Sequence, residues 1–432
     1  MFRKILIANR GDSALRVIAT CRRLGIEFSV IYTESDSKSL PVKLAGKEAY
    51  LVSSYSNAKE IVDVALKARC GAVHPGYGFL SENADFARIC TEAGLVFIGP
   101  SADVIAQMGN KINARRMAET AGVPILKGTE ARNPAEMLQE VERLGMTFPV
   151  ILKAAAGGGG LVIEIVESKE DFVSAVERLQ SLAQRRFGDS AIYAEEYFRR
   201  TKHIEVQIVA DQHGNVFDLG ERECSLQRKR QKLVEEGPSS TLTPAERRRI
   251  HRLARKFARA IGYTGIGTIE FLFDPQERKF YFLEMNTRIQ VEHVVTEMLA
   301  GIDLVELQLV IAAGEHIRPK RSRGGHALEV RIYPEGIDDG KFVPRPGVFA
   351  LFDVPLEDSE VRFETVLELF SQDTPQLSWE YQNLLARVIV WAPTRAGAIE
   401  RMDKVLSELR ITLGTNIPIL RALLRLQDFV ER

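Results

Sequence analysis

The chain has 432 residues, enough for two or three domains with ample core. Its 58 lysines and arginines balance 58 aspartates and glutamates, which argues against a dedicated nucleic-acid binder or a polybasic membrane-surface protein. No window approaches the length of a membrane span, and the start is too short in apolar length for a signal peptide. The four cysteines, Cys21, Cys70, Cys90 and Cys224, include no C-x-x-C pair. They read as reduced thiols in a cytoplasmic protein.

In chain order, residues 4–9 form a compact apolar strand followed by Arg10-Gly11-Asp12 and a helical pattern through Ala14, Leu15, Ile18 and Cys21. A strand over 28–33, a helix over 58–68, a strand over 71–74, a helix over 83–93 and a strand over 95–99 follow. This alternation predicts a parallel sheet with helices on both faces. No G-x-G-x-x-G follows the first strand, and no G-x-x-x-x-G-K-[ST] occurs, so neither the dinucleotide fingerprint nor the Walker loop applies. The block from His74 to Asn83 lies at the carboxyl end of a strand, where open α/β sheets bind ligands. A plain turn with a buried aromatic is the alternative.

From about residue 116 the composition changes. A strand over 148–153 ends in Lys153, a glycine run covers 157–160, and a strand covers 161–166. This reads as a hairpin whose tip exposes backbone N–H groups to an anion, with Lys153 and Lys111 as phosphate partners, or else as a flexible tip alone. A helix over 169–184 and strands over 192–197 and 203–209 follow. The block from Cys224 to Glu236 is basic, then acidic. It is either a solvated charge run or an anion site using Lys232. Residues 243–261 form an amphipathic helix capped by Thr243. In the last hundred residues, strands at 325–332 and 388–391 precede a helix over 395–409 with apolar positions at the helical period.

The densest chemistry lies at 267–293. Strands 267–273 and 280–283 flank a charged turn, and side chains two apart on a strand share a face. Paired as a hairpin, they let Glu270 meet Glu284 and Asn286, and Arg288 joins them if the strand continues. Two carboxylates and an amide oxygen are hard ligands suited to magnesium on a nucleotide's phosphates. A surface strand with solvated charges is the alternative, but seven polar groups in the ten positions 284–293 beside an apolar strand would each cost free energy to bury unpaired.

Taken together, Ile7-Ala8-Asn9-Arg10-Gly11, the 74–83 block, the lysine–glycine hairpin at 153–160, the 224–236 block and the 284–292 block resemble biotin carboxylase, an ATP-grasp enzyme. The match covers roughly residues 2–350 in order and spacing. It implies an α/β and α+β architecture: a Rossmann-like pre-ATP-grasp domain over 1–115, an ATP-grasp domain over 116–325 with a mobile lid at about 131–203, and a C-terminal domain over 326–432. It implies that Lys111, Lys153, Glu195, His203, Gln227 and Leu272 contact ATP, with Gly159 and Gly160 closing over its phosphates. Glu270, Glu284 and Asn286 would hold two magnesium or manganese ions. Lys232, Arg288, Gln290 and the Val291 backbone would bind bicarbonate, Glu292 would deprotonate it, and Arg331 would stabilise the biotin enolate.

The implied activity is ATP-dependent carboxylation of biotin on a separate carrier protein, as a subunit of an acyl-CoA carboxylase. The implied partners are that carrier, a carboxyltransferase and a second copy in a homodimer. The alternatives are an ATP-grasp ligase with another acceptor and a catalytically weak, nucleotide-binding regulatory paralogue. The sequence departs from the family at Ala156, at 161–164, at Arg230 (usually His) and at 380–387, where Tyr-Tyr-Asp-Ser-Met-Ile-Gly-Lys is replaced by a segment ending in Arg387.

Overall fold

The computed structural model describes residues 1–432 except 131–132, 157–161, 319–321, 339–340, 345–351, 354–357, 367–383, 412–413 and 432. The N-terminal region is a parallel sheet of β1 (Lys4–Ile7), β2 (Glu27–Tyr32), β3 (Ala49–Leu51), β4 (Ala72–His74) and β5 (Val96–Phe97) in the order β3-β2-β1-β4-β5. Ile5, Leu6, Ile7, Ala72 and Val73 are all buried, because helices cover both faces. The strand order reverses between β1 and β4, so their carboxyl ends open the crevice where such sheets take ligands. There the Asn9 side chain donates to the carbonyls of Pro75 (2.7 Å) and Tyr77 (2.9 Å). This ties together two of the blocks read from the sequence.

The lid is a three-stranded antiparallel sheet, β7-β6-β8, of β6 (Val150–Ala154), β7 (Ile163–Val166) and β8 (Ile192–Glu196), packed on the helices Pro134–Arg143 and Lys169–Phe187. Lys153 pairs with Ile163 in the expected hairpin. The glycine tip, with Gly159 and Gly160, lies outside the described residues.

The eight-stranded antiparallel sheet carries the chemistry. In spatial order it contains β13 (Lys279–Asn286), β12 (Gly265–Asp274), β9 (Lys202–Ala210), β10 (Val216–Arg228), β11 (Gln231–Gly237), β14 (His326–Ile332), then strands Ala386–Ala392 and Val361–Thr365. Period-two alternation gives it one apolar and one polar face. Ile204, Val206, Ile208, Ile269, Phe271 and Phe273 pack with Ile250, Ala254 and Phe257 of the helix Pro244–Ala260. Leu328, Val330, Ile332, Val388 and Val390 pack under the helix Arg395–Glu408. The residues between them, including Glu205, Glu270, Glu329, Arg331 and Arg387, turn to the other face.

Two elements that the sequence leaves open are decided by the structure. The 224–236 block is no solvated run: it is the end of β10, a turn at Lys229 and Arg230, and β11, with Leu233 to Gly237 buried. Arg228, Lys232, Glu235 and Glu236 are paired within the molecule, whereas Lys229 and Arg230 at the turn are exposed. Glu236, for example, is held by His326 (2.8 Å) and Arg395 (2.6 Å). Second, the strand does not continue from Asn286 to Arg288; β13 ends at Asn286.

Candidate active site

β12 and β13 pair with Glu270 opposite Glu284 and Thr268 opposite Asn286. The register shifts between Glu270 and Phe271, which leaves Leu283 as the extra residue of a β-bulge. The bulge has a chemical consequence. Phe280 and Phe282 pack in the core, yet Glu284 and Asn286 turn to the polar face beside Glu270. Asn286 Nδ2 donates to Glu270 Oε1 (2.7 Å), Gln290 Nε2 donates to the same oxygen (2.8 Å), and Arg288 donates to Asn286 Oδ1 (3.0 Å). Arg288 joins the cluster from the loop after the strand. Lys111, at the start of the helix Lys111–Thr120, brings its ammonium within 3.3 Å of Glu284.

Next to this hairpin sits a buried set of alternating charges. The Lys232 ammonium contacts Glu292, lies 2.6 Å from Glu205 and 3.7 Å from Glu270. Arg331 bridges Glu235 (2.6 Å) and the other oxygen of Glu292 (3.0 Å). His203 lies 3.0 Å from Glu270. Gln227 faces His203 Nδ1 at 3.3 Å, and Leu272 is the β12 register partner of His203.

Burial alone would push the Glu292 carboxyl up. Lys232, then Arg331 and Arg222, outweigh it, so the group titrates below its ordinary value and is a carboxylate at neutral pH. Burial likewise pulls Lys232 down, but its acidic neighbours hold it well above the usual lysine range. On the adjacent strands, burial raises the Glu329 carboxyl to about 8, against the opposing pull of Arg387.

The lid contributes a second cluster. Lys153 on β6 and Arg115 both contact the Glu195 carboxylate of β8. From the N-terminal region, Glu82 accepts from Arg288 (2.8 Å), so the 74–83 block reaches the hairpin. The described candidate site residues read from the sequence lie in these clusters or beside them.

Others were missed. Arg222 of β10 is fully buried and donates to Glu205, Gln207, Thr296, Thr268 and Gln290. Glu205 shares its face with His203 and Gln207, a two-residue spacing visible in the strand itself. Buried His293 accepts at Nε2 from Arg16 (3.3 Å), which leaves Nδ1 to donate to the Gln290 carbonyl (2.8 Å) and steadies that loop. Among the described residues, two groups have donor atoms close enough to share a cation: His203, Glu205 and Glu270, and Glu205, Cys224 and Glu292. The residues read from the sequence as metal ligands overlap them only at Glu270.

An acidic hairpin, a lysine-bearing lid and an α/β unit that reaches the hairpin through Glu82 together have the arrangement of an ATP-dependent ligase of the ATP-grasp class. Family models match along almost the whole chain: the biotin carboxylase N-terminal domain over residues 1–105, the carbamoyl-phosphate synthase L chain ATP-binding domain over 110–320, and the biotin carboxylase C-terminal domain over 329–432. The chain is 46% identical to biotin carboxylase 2 of Bacillus subtilis, covering 97% of this chain and 95% of that one. It is 42% identical to the 2-oxoglutarate carboxylase small subunit of Hydrogenobacter thermophilus, covering 99% and 91%. Among solved structures, biotin carboxylase from Campylobacter jejuni superposes with a TM-score of 0.93 at 37% identity, covering 100% of this chain and 97% of that one. A dimer of the biotin carboxylase domain of the Hydrogenobacter enzyme, in complex with MgADP, ADP and bicarbonate, gives a TM-score of 0.94 at 41% identity, covering 100% and 95%. The chain belongs to the biotin carboxylase family.

Proposed function

We propose that this protein carboxylates biotin carried on a partner protein, using ATP and bicarbonate, as the cytoplasmic biotin carboxylase subunit of an acyl-CoA carboxylase with a separate carboxyltransferase. The observation that carries the reading is the position of Glu292. One of its oxygens rests on Lys232 and the other on Arg331. A base thus stands between a cation suited to an anionic substrate and a cation suited to the acceptor. The 3.0 Å contact of Arg331 with Glu292 supports a place for the acceptor's cation beside the base.

In this reading Lys111, Lys153, Glu195, His203, Gln227 and Leu272 bind ATP, and Gly159 and Gly160 cover its phosphates. Glu270, Glu284 and Asn286 fit divalent cations by their donor chemistry, two carboxylates and an amide oxygen brought together by register. Magnesium or manganese there would offset charge on the transferring phosphoryl group.

Bicarbonate sits against Lys232, Arg288, Gln290 and the Val291 backbone. Glu292 takes its proton, and the freed oxygen attacks the γ-phosphorus as ADP leaves, giving carboxyphosphate. A substrate anion beside Glu292 shares the cations that hold its carboxylate low, which raises the basicity needed for this step. Carboxyphosphate yields CO₂ and phosphate. The phosphate takes the N1′ proton of biotin, Arg331 offsets the charge that develops on the ureido oxygen, and N1′ attacks CO₂.

The test is ATP hydrolysis by the purified protein with magnesium and bicarbonate, with and without free biotin. Bicarbonate-dependent turnover that biotin stimulates is expected, and Glu292→Gln is expected to lose it by about 10²–10⁴-fold. Turnover that ignores biotin would mean another acceptor. ATP binding without turnover would mean a regulatory role.

A further inference from the structure

Arg387 ends the segment that departs from the family pattern, and it is 1% exposed. Its strand places it directly opposite Arg331 of β14. Two arginines facing each other across a sheet repel and stay buried only where acceptors separate them. Arg331 is held by Glu235 and Glu292. Arg387 donates through Nη1 to the backbone carbonyl of Val291. The raised Glu329 carboxyl lies at 3.7 Å. Charged neighbours include Asp12 (3.7 Å), which also accepts from the Tyr77 hydroxyl, and Glu364, its register partner on the strand Val361–Thr365. The two guanidinium groups thus hold adjacent residues of one loop: Arg387 the backbone of Val291, Arg331 the side chain of Glu292.

We propose that Arg387 is a positioning residue for Glu292. By fixing the Val291–Glu292 peptide it sets the carboxylate between Lys232 and Arg331 and keeps it on the bicarbonate side of the cleft. The inference rests on the general-base reading of Glu292. It assigns work to the altered 380–387 segment: its last residue keeps a cation at this place, with a planar fork in place of the family's ammonium.

The experiment compares Arg387→Met and Arg387→Lys, by structure and by kinetics. In the crystal structure of Arg387→Met, the Val291 carbonyl is expected to turn and Glu292 to leave Lys232 or Arg331; Arg387→Lys restores both contacts. In turnover, Arg387→Met is expected to lower kcat/KM for bicarbonate by about a hundredfold, with KM for ATP within about twofold of the parent. Arg387→Lys recovers most of the loss. Added to Glu292→Gln, Arg387→Met is expected to cost nothing more, because both act through one carboxylate.

An unmoved loop in Arg387→Met overturns the proposal whatever the activity. So does a parallel loss of ATP binding, additive loss on top of Glu292→Gln, or failure of both variants to fold, each of which marks a merely structural role. If the parent protein shows no bicarbonate-dependent turnover, the functional reading fails separately, and the crystal structures still decide whether Arg387 sets the Glu292 geometry.

Discussion

Arg222 shows how one residue organises the polar face. It lies between Glu221 and Glu223, and such a triplet reads as surface. Instead its guanidinium is fully buried, with distances of 2.6 Å to Glu205, 2.9 Å to Gln207, 2.8 Å to Thr296, 3.3 Å to Thr268 and 2.9 Å to Gln290. A planar fork of five N–H donors suits that many acceptors, whereas an ammonium offers three from a single point. Arg222→Met leaves Glu205 short of one cation and two amide oxygens without their donor. The expected cost is about 3–5 kcal/mol, read from urea unfolding, with little recovered by Arg222→Lys. A loss under about 1 kcal/mol would mean that the neighbours re-pair without it. Nothing local in the sequence marks Arg222, because its partners come from four other segments. Glu270, Glu284 and Asn286 were legible because their acceptor groups recur at two-residue spacing beside an apolar strand. The bulge at Leu283 that turns them to one face was not.

At the scale of elements, the helix Pro244–Ala260 shows what pattern reading does well. Thr243 accepts from the Glu246 backbone and the Glu246 side chain accepts from that of Thr243, a full capping box, where the sequence predicts a cap. Its apolar stripe meets β9 and β12 as amphipathicity requires. Its polar edge does more than face water. His251 lies 2.9 Å from Asp218 and 2.7 Å from Glu221 of β10, one carboxylate at each ring nitrogen. Burial would lower this histidine, but the two carboxylates raise it to about 9. The folded state therefore binds the proton more tightly than the unfolded chain, where histidine titrates near 6.5. The resulting stabilisation is complete below about pH 6.5 and is lost as the pH rises through about 9. Its ceiling is about 3 kcal/mol. Urea unfolding at pH 6 and pH 9.5 is expected to show a smaller difference in His251→Gln than in the parent; equal differences would remove His251 as the cause. Strands β10 and β11 were illegible for the same reason that this histidine matters. Their charges are satisfied by neighbouring elements, so neither carries the apolar alternation that reveals a strand.

At the scale of the whole molecule, the sheet and the chain divide differently. Region 326–432 supplies three strands to the same eight-stranded sheet as β9 to β13, and Val234 of β11 lies opposite Val330 of β14. Leu233 and Val234 belong to the core formed by Leu328, Val330, Val388 and Val390. A chain ending at residue 325 would expose that apolar face, leave β11 as an unpaired edge and strip Glu236 of His326 and Arg395. It is expected to aggregate. The lid is the opposite case. Thr129 N donates to the Ala194 carbonyl (2.9 Å) and Glu196 N to that of Lys127 (3.1 Å), so the chain enters and leaves side by side. Between those points the lid has its own sheet and core. Replacing residues 130–193 with a short glycine–serine linker is expected to leave a folded protein that unfolds in one cooperative transition, without Lys153 and so with weakened ATP binding. Near-ultraviolet circular dichroism and calorimetry of the two deletions decide the matter. A soluble, cooperatively unfolding 1–325 fragment would show that the C-terminal strands only decorate a sheet complete without them. Collapse of the lidless protein would show that the lid core supports the sheet it covers.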